Sequence, residues 1–297
     1  MTSKPARSAF TVRTPATVAN LGPGFDCLAL ALELSNEFTV EPDAAQPAVT
    51  VEGEGRGELP EDGTNLVFRT VSFVARELGG RPPAFSLACR NAIPLQRGLG
   101  SSASAVVAGL LIADRLLGAG LTADRLLQMA ADTEGHADNV AACLRGGLVL
   151  AYLGSDGWRA EQLEPNPQLR PLLLVPEAER MATEDARRVL PLAVPLADAA
   201  FNLSRSALAV LALTARPDLL VDALDDRLHQ GRRLPLTPGA RALFQDLREE
   251  GFPVCVAGSG PSLLVFEPDG RTVRDLGPGW LALRPSIDRT GAVVSAS

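Results

Sequence analysis

The residues with the clearest chemical potential lie in one run, Pro94-Leu95-Gln96-Arg97-Gly98-Leu99-Gly100-Ser101-Ser102-Ala103-Ser104-Ala105. Its glycines permit positive φ and close backbone approach, and its serines fall where an apolar helix over Ala103–Leu117 is predicted to begin, at Ser101 or Ser102. A helix N-terminus presents unpaired N–H groups and a partial positive charge, which suits phosphate oxygens. The serine hydroxyls could bond phosphate or ligate a hard cation. Two other phosphate loops fit less well. A Walker A loop needs a lysine ahead of its Ser/Thr, and Lys4 is the only lysine in the chain. Gly98–Ala103 reads formally as the GxGxxA dinucleotide fingerprint, which calls for a following strand and an acid about 20 residues on. Here a second helix, Ala123–Thr133, follows the first, and Asp114 and Asp124 fall in helical context. A glycine-rich helix cap would explain a lone GxG; two serines and a preceding proline point to phosphate.

The elements that must position this run are predicted as follows. Strands are expected at Phe10–Arg13, Leu28–Val40, Ala48–Glu52 and Phe85–Cys89, with a helix over Asn65–Leu78 stopped by Gly79, Gly80, Pro82 and Pro83. Thr122 is a candidate N-cap for Ala123–Thr133, and a third helix covers Asp138–Leu144. Leu148–Leu153 and Trp158–Leu163 read as a hairpin. Glu164-Pro165-Asn166-Pro167 marks a boundary, giving an N-terminal domain 1–165 and a C-terminal domain 166–297. Beyond it come a strand at Leu172–Val175, then helices at Thr183–Leu190, Leu196–Thr214, Leu219–Leu228 and Gly239–Glu250. Strands follow at Pro253–Val256, Ser262–Phe266, Gly279–Leu283 and Ala292–Ser295. The alternation indicates an α+β protein of two sandwiched domains.

Composition narrows the chemistry. With 297 residues, 46% hydrophobic and 21% charged, the chain can bury a large core. A net charge of −7 argues against a general nucleic-acid binder. Four dispersed cysteines and two histidines show no zinc spacing and read as free thiols in a reducing compartment. Apolar runs are interrupted short of about 18 residues, so no membrane span is expected. Met1–Phe10 shows no secretory signal, and a cytoplasmic location is expected.

Four motifs together resemble one family. PLQRGLGSSASAV is similar to the PxxxGLGSSAA phosphate loop of the GHMP kinases. Pro15-Ala16-Thr17-Val18-Ala19-Asn20-Leu21-Gly22-Pro23-Gly24-Phe25-Asp26 and Glu134-Gly135-His136-Ala137-Asp138-Asn139-Val140 resemble motifs of that family's homoserine branch. Ala257-Gly258-Ser259-Gly260-Pro261-Ser262 resembles its third glycine loop, and the likeness spans about Phe10 to Val294. The resemblance implies the two-domain GHMP kinase fold, with an N-terminal domain of the ribosomal-protein type and a ferredoxin-like C-terminal domain.

It also implies roles. ATP would be bound along Pro94–Ser104 with its phosphates at Gly98–Ser102, Mg²⁺ would be held by Ser102 and Glu134, and adenine would lie near Asn65, whose competing role is a helix N-cap. L-homoserine would be bound by Asn20, Asp26, His136, Asp138, Thr183, Arg187, Arg233 and Gly260, the two arginines forking onto its carboxylate. Before Arg233 the run His229-Gln230-Gly231-Arg232 departs from the family's histidine-acid-proline pattern, which leaves Arg232 as an alternative ligand. Asp138 and Asn139 lie where a base would be sought. The aspartate–lysine base pair of several relatives is ruled out because no motif contains a lysine. The family tendency is a homodimer. Other GHMP substrates, such as mevalonate or a cytidyl-methylerythritol, would give no reward to Asp26; a non-catalytic sensor of the same fold would be free to lose Glu134.

Overall fold

The computed structural model describes residues 5–44, 48–274 and 276–296; Lys4 lies outside them. The first sheet holds β1 (Phe10–Asn20), β2 (Gly24–Pro42), β3 (Val49–Gly53), β4 (Phe85–Asn91), β5 (Leu148–Gly154) and β6 (Gly157–Leu163). It is covered by helices α1 (Leu66–Glu77), α2 (Ser101–Leu117), α3 (Ala123–Glu134) and α4 (Asp138–Arg145). β1 and β2 form a long hairpin, and the length of β2 lets one half pair with β4 and the other with β5. Pro15, which cannot donate to a ladder, sits at a register shift in that hairpin.

The second sheet has the order β10-β7-β9-β8, built from β7 (Pro171–Pro176), β8 (Val254–Val256), β9 (Leu263–Phe266) and β10 (Trp280–Leu283). Its helices are α5 (Thr183–Arg188), α6 (Leu196–Thr214), α7 (Leu220–Ala223), α8 (Gln230–Arg233) and α9 (Pro238–Glu249). The last strand, β11 (Val293–Ala296), returns to pair with β1, so the two sheets do not divide the chain at one point. The period-2 alternation explains the layering. Ala19, Ala29 and Ala31 face α1–α4. Val18, Leu28, Leu30 and Leu32 point the other way, into a core shared with Leu173, Val175, Leu264 and α6. Leu172, Leu174, Val254 and Val265 form the outer core under α9.

One expectation fails here. The helix predicted over Leu219–Leu228 is a 3₁₀ turn at Pro217–Leu219 and a single turn, α7, ending at Ala223. The reason is Asp226, whose carboxylate accepts N–H bonds from Leu228, His229 and Gln230 and so caps a new helix, α8. α6 is long and apolar enough, by length and composition, to cross a membrane, although Asp198 and Arg205 interrupt its apolar run. Its inner face is nonetheless tied to protein: Asn202 bonds Asp226 and Ser206 bonds the Pro23 carbonyl.

A buried polar cluster fixes the start of α2 against the sheet. The Asn36 carbonyl oxygen accepts from the N–H groups of Ala92 and Ile93 at 2.9 and 3.0 Å, and its amide donates to Ser104 Oγ at 3.1 Å. Ser104 Oγ also bonds Thr14 Oγ1 at 2.7 Å. Asn36→Leu would strand the buried N–H of Ile93 and the part-buried N–H of Ala92, take one partner from the Ser104 hydroxyl, and should lower the unfolding free energy by about 3 kcal/mol, read by urea denaturation. A loss below about 1 kcal/mol would show that the cluster does not hold the loop.

Candidate active site

The four motifs meet at the junction of the two sheets. Gly100 serves as N-cap of α2 with φ 72°, and no side chain caps the helix. The N–H groups of its first turn therefore remain directed at the cleft ahead of it. A Cβ at Gly100 would stand 2.0 Å from Thr17 Oγ1. At Gly98, with φ 71°, a Cβ would stand 2.0 Å from the Ala257 carbonyl oxygen. Only glycine lets the loop lie on both neighbours. Hydrogen bonds complete the junction: Thr17 N–H to Leu99 O, Gly258 N–H to Ala19 O, and Asn20 Nδ2 to Gly258 O at 2.8 Å. Thr17 Oγ1 donates to Asn139 Oδ1 at 2.7 Å, which ties the first motif to α4.

The resulting cleft has a volume of about 460 Å³, and the loop and α2 N-terminus form one wall. Asn20, Asp26, His136, Asp138, Thr183, Arg187 and Arg233 all line it. A second cavity of about 450 Å³ adjoins it through Leu66, Arg69, Gln96, Ser101 and Ser102. This one is flanked by Phe38, Leu59, Cys89 and Leu95, an apolar slot of the kind a planar base fills. Arg69 lies on both cavities. It went unnoticed in the sequence because an exposed helical arginine carries no motif. Asn91, on the slot's wall, leaves its buried carbonyl oxygen without a hydrogen-bond partner.

The electrostatics are organised by pairs. Arg187 grips Asp26 with both terminal nitrogens, at 2.9 and 3.1 Å. His136 Nδ1 lies 2.9 Å from Asp138 Oδ1, which also accepts from Asn139 N–H at 2.7 Å. Burial disfavours charge on His136, but its bond to Asp138 and the charge of that carboxylate outweigh burial and raise its pKa. Arg233 is 3% exposed. Burial, and then the nearby charge of Arg187, bring its pKa down to about 10, which still leaves it protonated at neutral pH. Arg232 is exposed, whereas Arg233 reaches the cleft. Ser102 Oγ donates to Glu134 Oε1 at 2.6 Å. This oxygen-only pair suits Mg²⁺ rather than a softer metal, and its small number of protein ligands is typical of that ion beside phosphates.

Two predicted contacts turn out differently, and two other residues carry a structural role on the cavity wall. Ser104 faces the core, held by Thr14 and Asn36, because it lies one turn along α2 on the side away from the cleft. Gly260 does not line the cleft; Gly258 and Ser259 do, while the Gly260 N–H closes a turn onto Ala257 O. Arg97 lines the cleft and points its guanidinium at the carbonyls of Leu95, Pro176 and Glu177, so it also braces the loop. Asn65 lies on the slot, but its amide caps α1 through Val67 N–H and donates to Pro60 O. Ser104→Ala should therefore lower stability by about 1 kcal/mol and leave nucleotide affinity unchanged, as read by titration with a fluorescent nucleotide. A marked loss of affinity would return Ser104 to the binding surface.

Comparison with known proteins agrees with this geometry. Residues 65–147 match the GHMP kinases N terminal domain. The chain is 42% identical to the homoserine kinase of Streptomyces avermitilis over 293 residues, covering 97% of this chain and 96% of that protein. It is 44% identical to the homoserine kinase of Leifsonia xyli, covering 95% and 91%. The crystal structure of homoserine kinase from Cytophaga hutchinsonii superposes with a TM-score of 0.83 at 26% identity, over 99% of each chain. The chain therefore has the GHMP kinase fold and belongs to the homoserine kinases, a family of ATP-dependent enzymes.

Proposed function

We propose that this chain phosphorylates L-homoserine with Mg·ATP, giving O-phospho-L-homoserine for threonine biosynthesis. The observation that carries this reading is the Asp26–Arg187 pair, which faces the helix N-terminus across one cleft. An α-amino acid brings one ammonium and one carboxylate. Entering between the partners, its ammonium takes Asp26 and its carboxylate takes Arg187 and Arg233, so no charge in the cleft loses its counterion. A ligand with only one of these charges would leave one member of the pair exposed to repulsion or desolvation. Asn20 fixes Asp26 by accepting its N–H at 3.0 Å, and Thr183 stands at the start of α5, which carries Arg187.

The adenine would occupy the slot by Phe38 and Leu95, and the phosphates the N–H groups of Ser101–Ala103. Ser102 and Glu134 would hold Mg²⁺, which neutralises charge on the phosphates being transferred. His136, Asp138 and Asn139 face the hydroxyl end of the substrate. Both neighbours of Asp138 hydrogen-bond the same oxygen, which suits a carboxylate that orients the attacking hydroxyl for in-line transfer. Asn139 keeps its amide N–H₂ for the cleft because its carbonyl oxygen is taken by Thr17.

We propose further that two copies associate as a homodimer in the cytoplasm. The outer face of α6 supports this, with Leu196 and Leu203 at 84% and 74% exposure and the exposed, smaller Ala200 and Ala207 between and beyond them. An ADP-release assay across L-homoserine, mevalonate, galactose and shikimate tests the main reading, with turnover expected for L-homoserine alone. Arg187→Ala should raise the homoserine KM by about tenfold or more while the ATP KM stays within about twofold. Absence of ADP release with homoserine, or a collapse of ATP affinity in the variant, would refute the assignment.

A further inference from the structure

His229 is fully buried and lies outside the cleft, yet it joins two of the segments that build it, the β1–β2 turn and α8. Its Nε2 lies 2.7 Å from the Gly22 carbonyl oxygen, and its Nδ1 lies 3.1 Å from Arg233 Nη1. A carbonyl only accepts and a guanidinium only donates. The two neighbours together therefore require one state of the ring: neutral, with the proton on Nε2 and the lone pair on Nδ1. The groups facing it agree. Asp226 Oδ2 lies 3.8 Å from Nε2, but its oxygens already accept from Asn202 and three backbone N–H groups. Burial lowers the pKa of His229 and the Arg233 charge lowers it further, outweighing the attraction of Asp226, the Gly22 bond and the more distant Asp26. The Phe25 ring packs 5.3 Å from the imidazole and also lies under Arg233 and Arg187.

A guanidinium has five N–H groups. Arg233 commits Nε to Ala186 O at 3.3 Å, and the two N–H of Nη1 to Gly258 O at 3.0 Å and to His229 Nδ1. The pair on Nη2 remains, on a residue that lines the cleft. We infer that His229 is a positioning residue: its Nδ1 lone pair takes one N–H of Arg233 and so turns the remaining two toward the substrate carboxylate. The inference rests on the functional reading above for the identity of that carboxylate. A protonated His229, or one with the proton on Nδ1, would set N–H against N–H and release Arg233 from this orientation.

Two variants separate positioning from simple packing. His229→Asn keeps an acceptor near the place of Nδ1 and loses the donor to Gly22; His229→Gln keeps a donor near Nε2 and loses the acceptor for Arg233. His229→Gln should raise the homoserine KM by about tenfold or more, with ATP KM unchanged, and His229→Asn should raise it several-fold less. Equal effects, or a larger effect in His229→Asn, would overturn the inference. Should neither variant fold, ¹⁵N imidazole shifts of the wild-type protein decide the matter. The Nε2–H neutral form is expected at neutral pH, and a proton on Nδ1 there would overturn it. A wild-type enzyme that binds nucleotide but releases no ADP with homoserine would defeat the functional reading instead, and the ring's tautomer would still be measurable.

Discussion

The contact on which the site depends is the seating of one glycine loop on another. Gly98 lies so close to the Ala257 carbonyl that a single added carbon would overlap it, and Gly258 makes the reciprocal approach to the Gly98 carbonyl. Through Ala19 O, Asn20 and Thr17 the same junction fixes the β1–β2 turn, and through Asn139 it fixes α4. Segments more than two hundred residues apart are thereby held with few side chains between them. The arrangement is rigid because it uses backbone hydrogen bonds and close packing rather than long side chains, which would have conformational freedom to lose. It leaves the α2 N–H groups open at the cleft, which is what phosphate binding needs.

The charge arrangement follows from a chain with nearly no lysine. Arginine supplies the cations, and three of the cleft arginines are directed by acceptors: Arg187 by Asp26, Arg233 by His229 and two carbonyls, Arg97 by three carbonyls. Guanidinium planes suit this because they offer several donors in fixed directions. Buried charge is costly unless hydrogen-bonded, and here the bonds that stabilise each arginine also aim it. The same logic explains why Asp226, far from any substrate, is ionised in a buried setting. Burial opposes its charge, but the hydrogen bonds it accepts from Asn202 and from the N–H groups of Leu228 and Gln230 hold its pKa below the usual value.

Much of this was legible in the sequence because glycine and proline mark backbone geometry directly. The helix α2, the hairpin of β5 and β6, and the N-cap at Thr122 all follow from local residues. Residues whose roles depend on distant partners were less visible. Ser104 looks like part of the phosphate run until Asn36 and Thr14, from other strands, claim its hydroxyl. The Leu219–Leu228 stretch has helical periodicity, but the Asp226 side chain caps a new start and interrupts it. His229 had no sequence signal beyond matching the histidine of a pattern from which Gln230 and Gly231 depart. Its meaning comes from Gly22, 207 positions earlier, and from the Arg233 it faces.

The most direct test of the account is the affinity of Gly98→Ala for Mg·ADP, measured by calorimetry beside a circular dichroism check that the variant is folded. The added carbon cannot fit against Ala257 at the present separation, and φ 71° disfavours it further. The loop must then lift from its partner and misplace the α2 N-terminus, so affinity should fall by about tenfold or more. A folded Gly98→Ala protein with unchanged Mg·ADP affinity would contradict the claim that the seating of these two loops forms the phosphate site.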